Sequence, residues 1–194
     1  MSNKKTDHPK GSKKLIGAWA LYDWANSVYS LVISSAIFPI YYSQYVFSQT
    51  NSVEILNLDI NKDTLISSVS AFSFLLIAFL SPLLSGIADF IGNKKIFMKF
   101  FVYMGSLSCI GLYWFELETI EISLLFYTLG LIGFWGSLVY YNSYLTDITY
   151  PNQTNKVSAK GYTMGYIGSV IPVSYTHLRA HETVLDLVCR LLLE

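Results

Sequence analysis

Charge is scarce in this sequence. Asp, Glu, Lys and Arg make up 13% of its 194 residues, about half the share usual in soluble domains. With 53% hydrophobic and 16% aromatic residues, that deficit excludes an ordinary soluble globule and points to an integral membrane protein. Acids and bases balance to a formal net charge of zero, and no basic helix or aromatic–basic motif points to a nucleic acid. Cysteine is nearly absent. Cys109 lies in an apolar run and Cys189 near the end, without metal or redox spacing, so a disulfide framework is not expected. Before residue 174 there is no Ser–His pair, metal pair or pair of membrane aspartates suited to an intramembrane hydrolase. No enzyme, cofactor or metal site is expected.

What the chain has instead is a series of long apolar runs. Residues 1–14 are polar and carry Lys4, Lys5, Lys10, Lys13 and Lys14; they read as a cytosolic tail. The first span covers about 15–46, long enough to cross some 30 Å of hydrocarbon. It is too long for a signal peptide, and Phe38-Pro39-Ile40-Tyr41-Tyr42 stands where a small-residue cleavage site would be needed. Pro39 is a candidate kink, and Tyr41, Tyr42 and Tyr45 a candidate interfacial belt. Further spans are expected at about 64–88, 96–115 and 122–148, with a polar loop over 47–63 and an acidic loop holding Glu116, Glu118 and Glu121. A fifth span, about 158–173, is cut short at Pro172.

The lysines orient the chain. With the N-terminus inside, the cytoplasmic segments hold ten lysines and the outer loops only Lys62, a strong positive-inside bias. A bacterial inner membrane with the N-terminus cytoplasmic is the expected location, and the lipid bilayer the first partner.

Residues 174–194 differ in composition from everything before them. The first 173 residues hold eleven lysines and no arginine, whereas the last 21 hold Arg179 and Arg190 and no lysine; Ile, Asn, Phe and Gly vanish there. The string Ser174-Tyr175-Thr176-His177-Leu178-Arg179-Ala180-His181-Glu182-Thr183 resembles translated adapter read-through at the end of an assembled gene fragment. The segment is therefore read as a non-native tail, and His177, His181 and Glu182 are left out of functional reasoning.

Within the first span, a carboxylate sits among apolar residues in Tyr22-Asp23-Trp24-Ala25-Asn26-Ser27. A charge at the centre of a membrane helix costs at least about 2.5–3.5 kcal/mol on insertion scales. At a period of 3.6, Asp23, Asn26, Ser27, Ser30, Ser34 and Tyr41 share one face. That pattern suits a cavity-lining helix, with Asp23, Asn26 and Ser30 as candidate substrate or coupling residues. The bland alternative is that Asp23 pairs near the cytosolic face and that Asn26 and Ser30 bond neighbouring helices. Gly133, Gly136 and Ser137 form a small-residue ridge, and Gly161, Gly165 and Ser169 recur every four residues; both read as close helix packing.

The turn after the second span reads Ser85-Gly86-Ile87-Ala88-Asp89-Phe90-Ile91-Gly92-Asn93-Lys94-Lys95. Gly92 permits a tight turn at positive φ. Asp89 can accept hydrogen bonds at a helix end, and Asp147 can pair with Lys94 or Lys95 as a gate latch. These five residues, Asp89, Gly92, Lys94, Lys95 and Asp147, make a candidate gate loop; its bland counterpart is an ordinary basic cytoplasmic loop.

This turn resembles the signature between helices two and three of the major facilitator superfamily. Asp89, Gly92, Lys94 and Lys95 match it, while Ser85 stands at the first glycine position and Asn93 where arginine is usual. Residues 22–27, Phe38-Pro39-Ile40-Tyr41, Tyr141-Asn142-Ser143-Tyr144-Leu145, Ser158-Ala159-Lys160-Gly161-Tyr162 and Gly165-Tyr166-Ile167-Gly168-Ser169 look like the vacuolar amino-acid effluxer branch, the autophagy-related permeases and their bacterial relatives. The resemblance covers residues 15–172. It implies an all-α polytopic bundle, here the first five helices of a six-helix half. The complete protein would be a secondary transporter working by alternating access on a small solute, amino acids among them, with protons as a coupling partner. It also implies that the C-terminal half is missing and that the fragment is inactive alone. A non-transporting receptor or scaffold would share the spans without needing a polar seam or gate loop.

Overall fold

The computed structural model describes residues 9–47, 50–55 and 58–191. The side chains of Tyr45 and of 175–191 are outside that description, as are residues 1–8 with Lys4 and Lys5. The chain divides into two units, one of Met1–Phe38 with Ile148–Glu194, the other of Pro39–Asp147.

The first unit is a pair of helices running in the same direction, α1 (Lys13–Val28) and α6 (Thr154–Leu191). Their starts are tied together by Gly11, whose N–H donates to the Ile148 carbonyl at 2.8 Å. Gly11 has φ +77°, and a Cβ there would meet the Tyr150 ring at 3.1 Å, so the site suits a residue without a side chain. Thr154 Oγ1 donates back to the Tyr150 carbonyl at 3.1 Å and closes the turn into α6. From α1, Trp19 and Ala20 are buried; from α6, Val157, Gly161, Gly165 and Gly168 are. The buried glycines fall at i, i+4 and i+7, the spacing of a 3.6-residue helix face. A strict four-residue repeat drifts off that face, which is why Ser169 is only part-buried and Gly168 takes the inward position. Helix α6 does not stop at Pro172 but continues to Leu191.

The first long span departs from regular winding. After Val28 the helix widens to π-type turns over Tyr29–Ile37, tightens to α2 (Phe38–Tyr41), and widens again over Tyr42–Val46. Pro39 lies in the short α segment between the wide turns and can donate no backbone hydrogen bond. A 3.6-residue period therefore does not carry past Tyr29, and the polar face projected through Ser34 to Tyr41 does not hold as one stripe.

In the second unit, residues 52–61 form a hairpin rather than the plain polar loop expected. Strand β1 (Ser52–Ile55) pairs antiparallel with β2 (Leu58–Asn61), setting Val53 opposite Ile60 and Ile55 opposite Leu58. The alternating aliphatics give it an apolar face. Asn61 then caps α3 (Lys62–Ile91), its side chain accepting from the Asp63 N–H at 2.9 Å. Helix α4 covers Lys94–Gly111 and ends in a 3₁₀ turn at Leu112–Trp114; α5 covers Ile120–Ile148.

Helices α4 and α5 approach closely through glycines. A Cβ on Gly133 would lie 2.6 Å from Gly105 Cα, and one on Gly136 2.5 Å from the Phe101 ring. Phe97 and Phe101 of α4 both stack on Tyr140 of α5, with centroids 5.7 and 5.8 Å apart. Ala88 and Ile132 complete that core. Tyr41 Oη donates to the Phe115 carbonyl and Tyr42 Oη to the Lys62 carbonyl, at 2.9 and 2.8 Å, so these two tyrosines anchor helix ends.

Three helices among the described residues, Lys62–Ile91, Lys94–Trp114 and Ile120–Ile148, are each long and apolar enough to cross a bilayer. On α4, Ile96, Phe100, Tyr103, Leu107 and Ile110 are all exposed at helical spacing. Such a stripe on a monomeric soluble protein would be an anomaly; facing lipid, it is the expected surface. The chain is an all-α integral membrane protein with one small hairpin.

Candidate functional site

Two clusters hold the candidate residues, one in each unit. In the second unit, α3 ends at Gly92, which adopts φ +69°; its N–H donates to the carbonyls of Ala88 and Asp89. This left-handed residue turns the chain straight into α4. The turn places Lys94, the first residue of α4, beside the end of α3. Its Nζ lies 3.1 Å from Asp89 Oδ1 and 3.2 Å from Asp147 Oδ2 on α5. One ammonium thus joins the ends of three helices.

The Lys94 side chain is 19% exposed, against 58% for Asp89 and 47% for Asp147. Exposed ion pairs contribute only about 0.2–1 kcal/mol each, so this cluster adds little to the stability of the bundle. Lys95 is exposed and makes no ion pair among the described residues. Adjacent helix positions point about 100° apart, so one of two neighbouring lysines reaches the carboxylates and the other faces away.

In the first unit, Asp23 and Ser27 lie one turn apart on the side of α1 that meets α6. A Cβ on Gly165 would come 3.0 Å from Asp23 Oδ2 and 2.8 Å from Ser27 Oγ. At Gly168 the same addition would run into the carbonyl oxygen and ring of Trp24. The α6 glycines therefore leave the room that the Asp23 carboxylate occupies. Asp23 is partly buried; Asn26 is partly buried and Ser30 exposed, and neither is brought against Gly165. Ser27 stands with Asp23 in their place. Gly165 and Gly168 were visible in the sequence as small residues, but nothing there showed which carboxylate they would face. The chemistry of this cluster is that of a carboxylate with a hydroxyl beside it, able to hold a cationic group or a proton.

A family model described as "Vacuole effluxer Atg22 like" matches residues 11–153. Over 155 residues the chain is 40% identical to the "Uncharacterized MFS-type transporter YxiO" of Bacillus subtilis (strain 168), covering 80% of this chain and 35% of that protein. The chain therefore spans about a third of the length of this relative. No solved structure matches it.

Proposed function

Because the chain belongs to the Atg22-like vacuole effluxer family, a family of major-facilitator-type transporters and not of enzymes, we propose that it is the N-terminal part of a secondary transporter that exports or exchanges a small solute by alternating access. The solute class is amino acids, with protons as the coupling ion. The remaining helices are supplied by the C-terminal part of the same protein, which sits in the bacterial inner membrane with its N-terminus in the cytoplasm.

One observation supports this most directly. Asp23, on the helix read from the sequence as the start of the first membrane span, has no hydrogen-bond or ion-pair partner among the described residues, and it stands where α6 has no side chain to cover it. Carrying a carboxylate there is costly, and a transporter recovers that cost by using the group. In this reading Asp23 binds the substrate ammonium or the coupling proton, and Asn26 and Ser30 border the same route. Asp89, Lys94 and Asp147 form a cytoplasmic latch shaped by Gly92, with Lys95 beside it.

The test is amino-acid efflux from cells or vesicles carrying the complete gene. Asp23→Asn and Asp89→Asn should each lower transport while leaving membrane insertion intact. Transport at the parental rate in both variants would remove these residues from the mechanism.

A further inference from the structure

Tyr140 carries a hydroxyl that the packing of the second unit does not explain. The residue is 3% exposed, and its ring stacks on Phe97 and Phe101 with both interplanar angles 24°. A phenylalanine would fill that place equally well. Its Oη is buried and has no hydrogen-bond partner among the described residues. Buried tyrosine hydroxyls ordinarily find one, and a bond left unmade disfavours the state that leaves it so.

The same stack leads to the ion bridge. Lys94, Phe97 and Phe101 fall at i, i+3 and i+7 on α4, and Tyr140 and Asp147 at i and i+7 on α5, so each set shares a helix face. The seven-residue step sets Tyr140 about 10 Å further along α5 from its end than Asp147. From α3, Ala88 packs in one core with Tyr140, and the next residue is Asp89. Asp89 is the charged group whose field reaches the Tyr140 phenol, while its carboxylate is held by Lys94 at 3.1 Å. Asp89 thus has one donor in contact, Lys94, and a second, Tyr140, close by and unused.

We propose that Tyr140 is a positioning residue of the latch: when Lys94 leaves Asp89, the Tyr140 Oη donates to the freed carboxylate and holds the end of α3 against α5. The proposal rests on the reading of Asp89, Lys94 and Asp147 as a latch. A phenol donating to a carboxylate makes a charge-assisted bond, stronger than a neutral one, and the low dielectric of the packed core strengthens it further. The hydroxyl therefore stabilises the open latch and contributes nothing to the closed one described here. Breaking the bridge then exchanges one partner of Asp89 for another instead of leaving the carboxylate unheld.

The test is a thermal-unfolding cycle on the full chain in detergent. Tyr140→Phe removes only the hydroxyl and should leave the parental melting temperature unchanged. In Lys94→Ala, where Asp89 is released, the same substitution should lower it by about 2–4 °C. In Lys94→Ala/Asp89→Ala, which has no acceptor, that loss should vanish. An equal loss in the parent overturns the proposal, because the hydroxyl would then be bonded with the latch closed. So does the absence of a loss in Lys94→Ala, and so does a loss that persists without Asp89. In the complete protein, Tyr140→Phe should lower efflux several-fold at parental membrane levels. Parental efflux from Tyr140→Phe, where Asp23→Asn has lowered it, overturns the proposal and leaves the transport reading standing.

Discussion

Asp23 and Gly165 face one another across the α1–α6 seam, with room for the carboxylate only because residue 165 has no Cβ; one placed there would lie 3.0 Å from Asp23 Oδ2. The glycine and the carboxylate are therefore one feature, although 142 positions separate them in the chain. Gly165→Ala should crowd two short side-chain ends, Asp23 and Ser27, which can shift by tenths of an ångström. Gly168→Ala should be worse, because its new methyl meets the Trp24 backbone carbonyl. Overpacking of this kind costs about 1–3 kcal/mol. Thermal unfolding of the detergent-solubilised chain should rank parent above Gly165→Ala above Gly168→Ala. The reverse order for the two variants would show that the seam is not packed as described.

A similar contrast separates glycines of the second unit. Gly133 has Gly105 backbone atoms 2.6 Å from where its Cβ would be, whereas Gly86 on α3 has nothing within 4 Å. Gly133→Ala should force α4 and α5 apart, a loss of about 1–3 kcal/mol. Gly86→Ala meets no obstacle and removes a flexible residue from a helix, a gain of about 0.5–1 kcal/mol. Melting temperatures of the two variants should move in opposite directions from the parent.

Much of this was legible in the residues, and what was not has identifiable physical reasons. The all-helical membrane class follows from long apolar runs that only helices can carry across lipid here, and the lysine distribution needs no coordinates. The 52–61 hairpin escaped because two strands of only four residues each, with Glu54 set opposite Asp59, look like a polar loop. The irregular winding from Tyr29 escaped because pattern reading assumes one period along the whole span. Around Lys94, residue types suggested a pairing, but choosing between Lys94 and Lys95 requires the rotation at which α4 leaves Gly92. In the α1–α6 seam, Asp23 was conspicuous by its charge; Gly165 and Gly168 became informative only once paired with it in space.

The bridge made by Lys94 should behave as one unit. Lys94→Gln removes both ion pairs, Asp89→Asn and Asp147→Asn one each. With exposed carboxylates each pair contributes only about 0.2–1 kcal/mol, and added salt should weaken it. In urea or detergent denaturation at low salt, Lys94→Gln should cost at least as much as either aspartate change. Combining Lys94→Gln with Asp147→Asn should cost less than the sum of the two. Strict additivity would mean that the side chains do not interact in solution.

Gly92 allows the cost of backbone conformation to be measured apart from packing. Its φ is +69°, and no atom lies within 4 Å of where a Cβ would stand, so a substitution meets strain without collision. Left-handed backbone costs most residues about 1–2 kcal/mol, while asparagine tolerates it better. Gly92→Ala should therefore destabilise the chain by about 1 kcal/mol, Gly92→Asn by less and Gly92→Val by more, because a β-branched side chain is least at home there. The readout is thermal unfolding of the three variants in one detergent, followed by efflux assays in the complete protein. If the turn serves only to connect α3 and α4, transport will fall in step with stability across the series. If it also aims Lys94 at Asp89 and Asp147, transport will fall further in Gly92→Val than its stability loss accounts for, while Gly92→Asn, which tolerates the left-handed turn, will keep efflux along with the ion bridge.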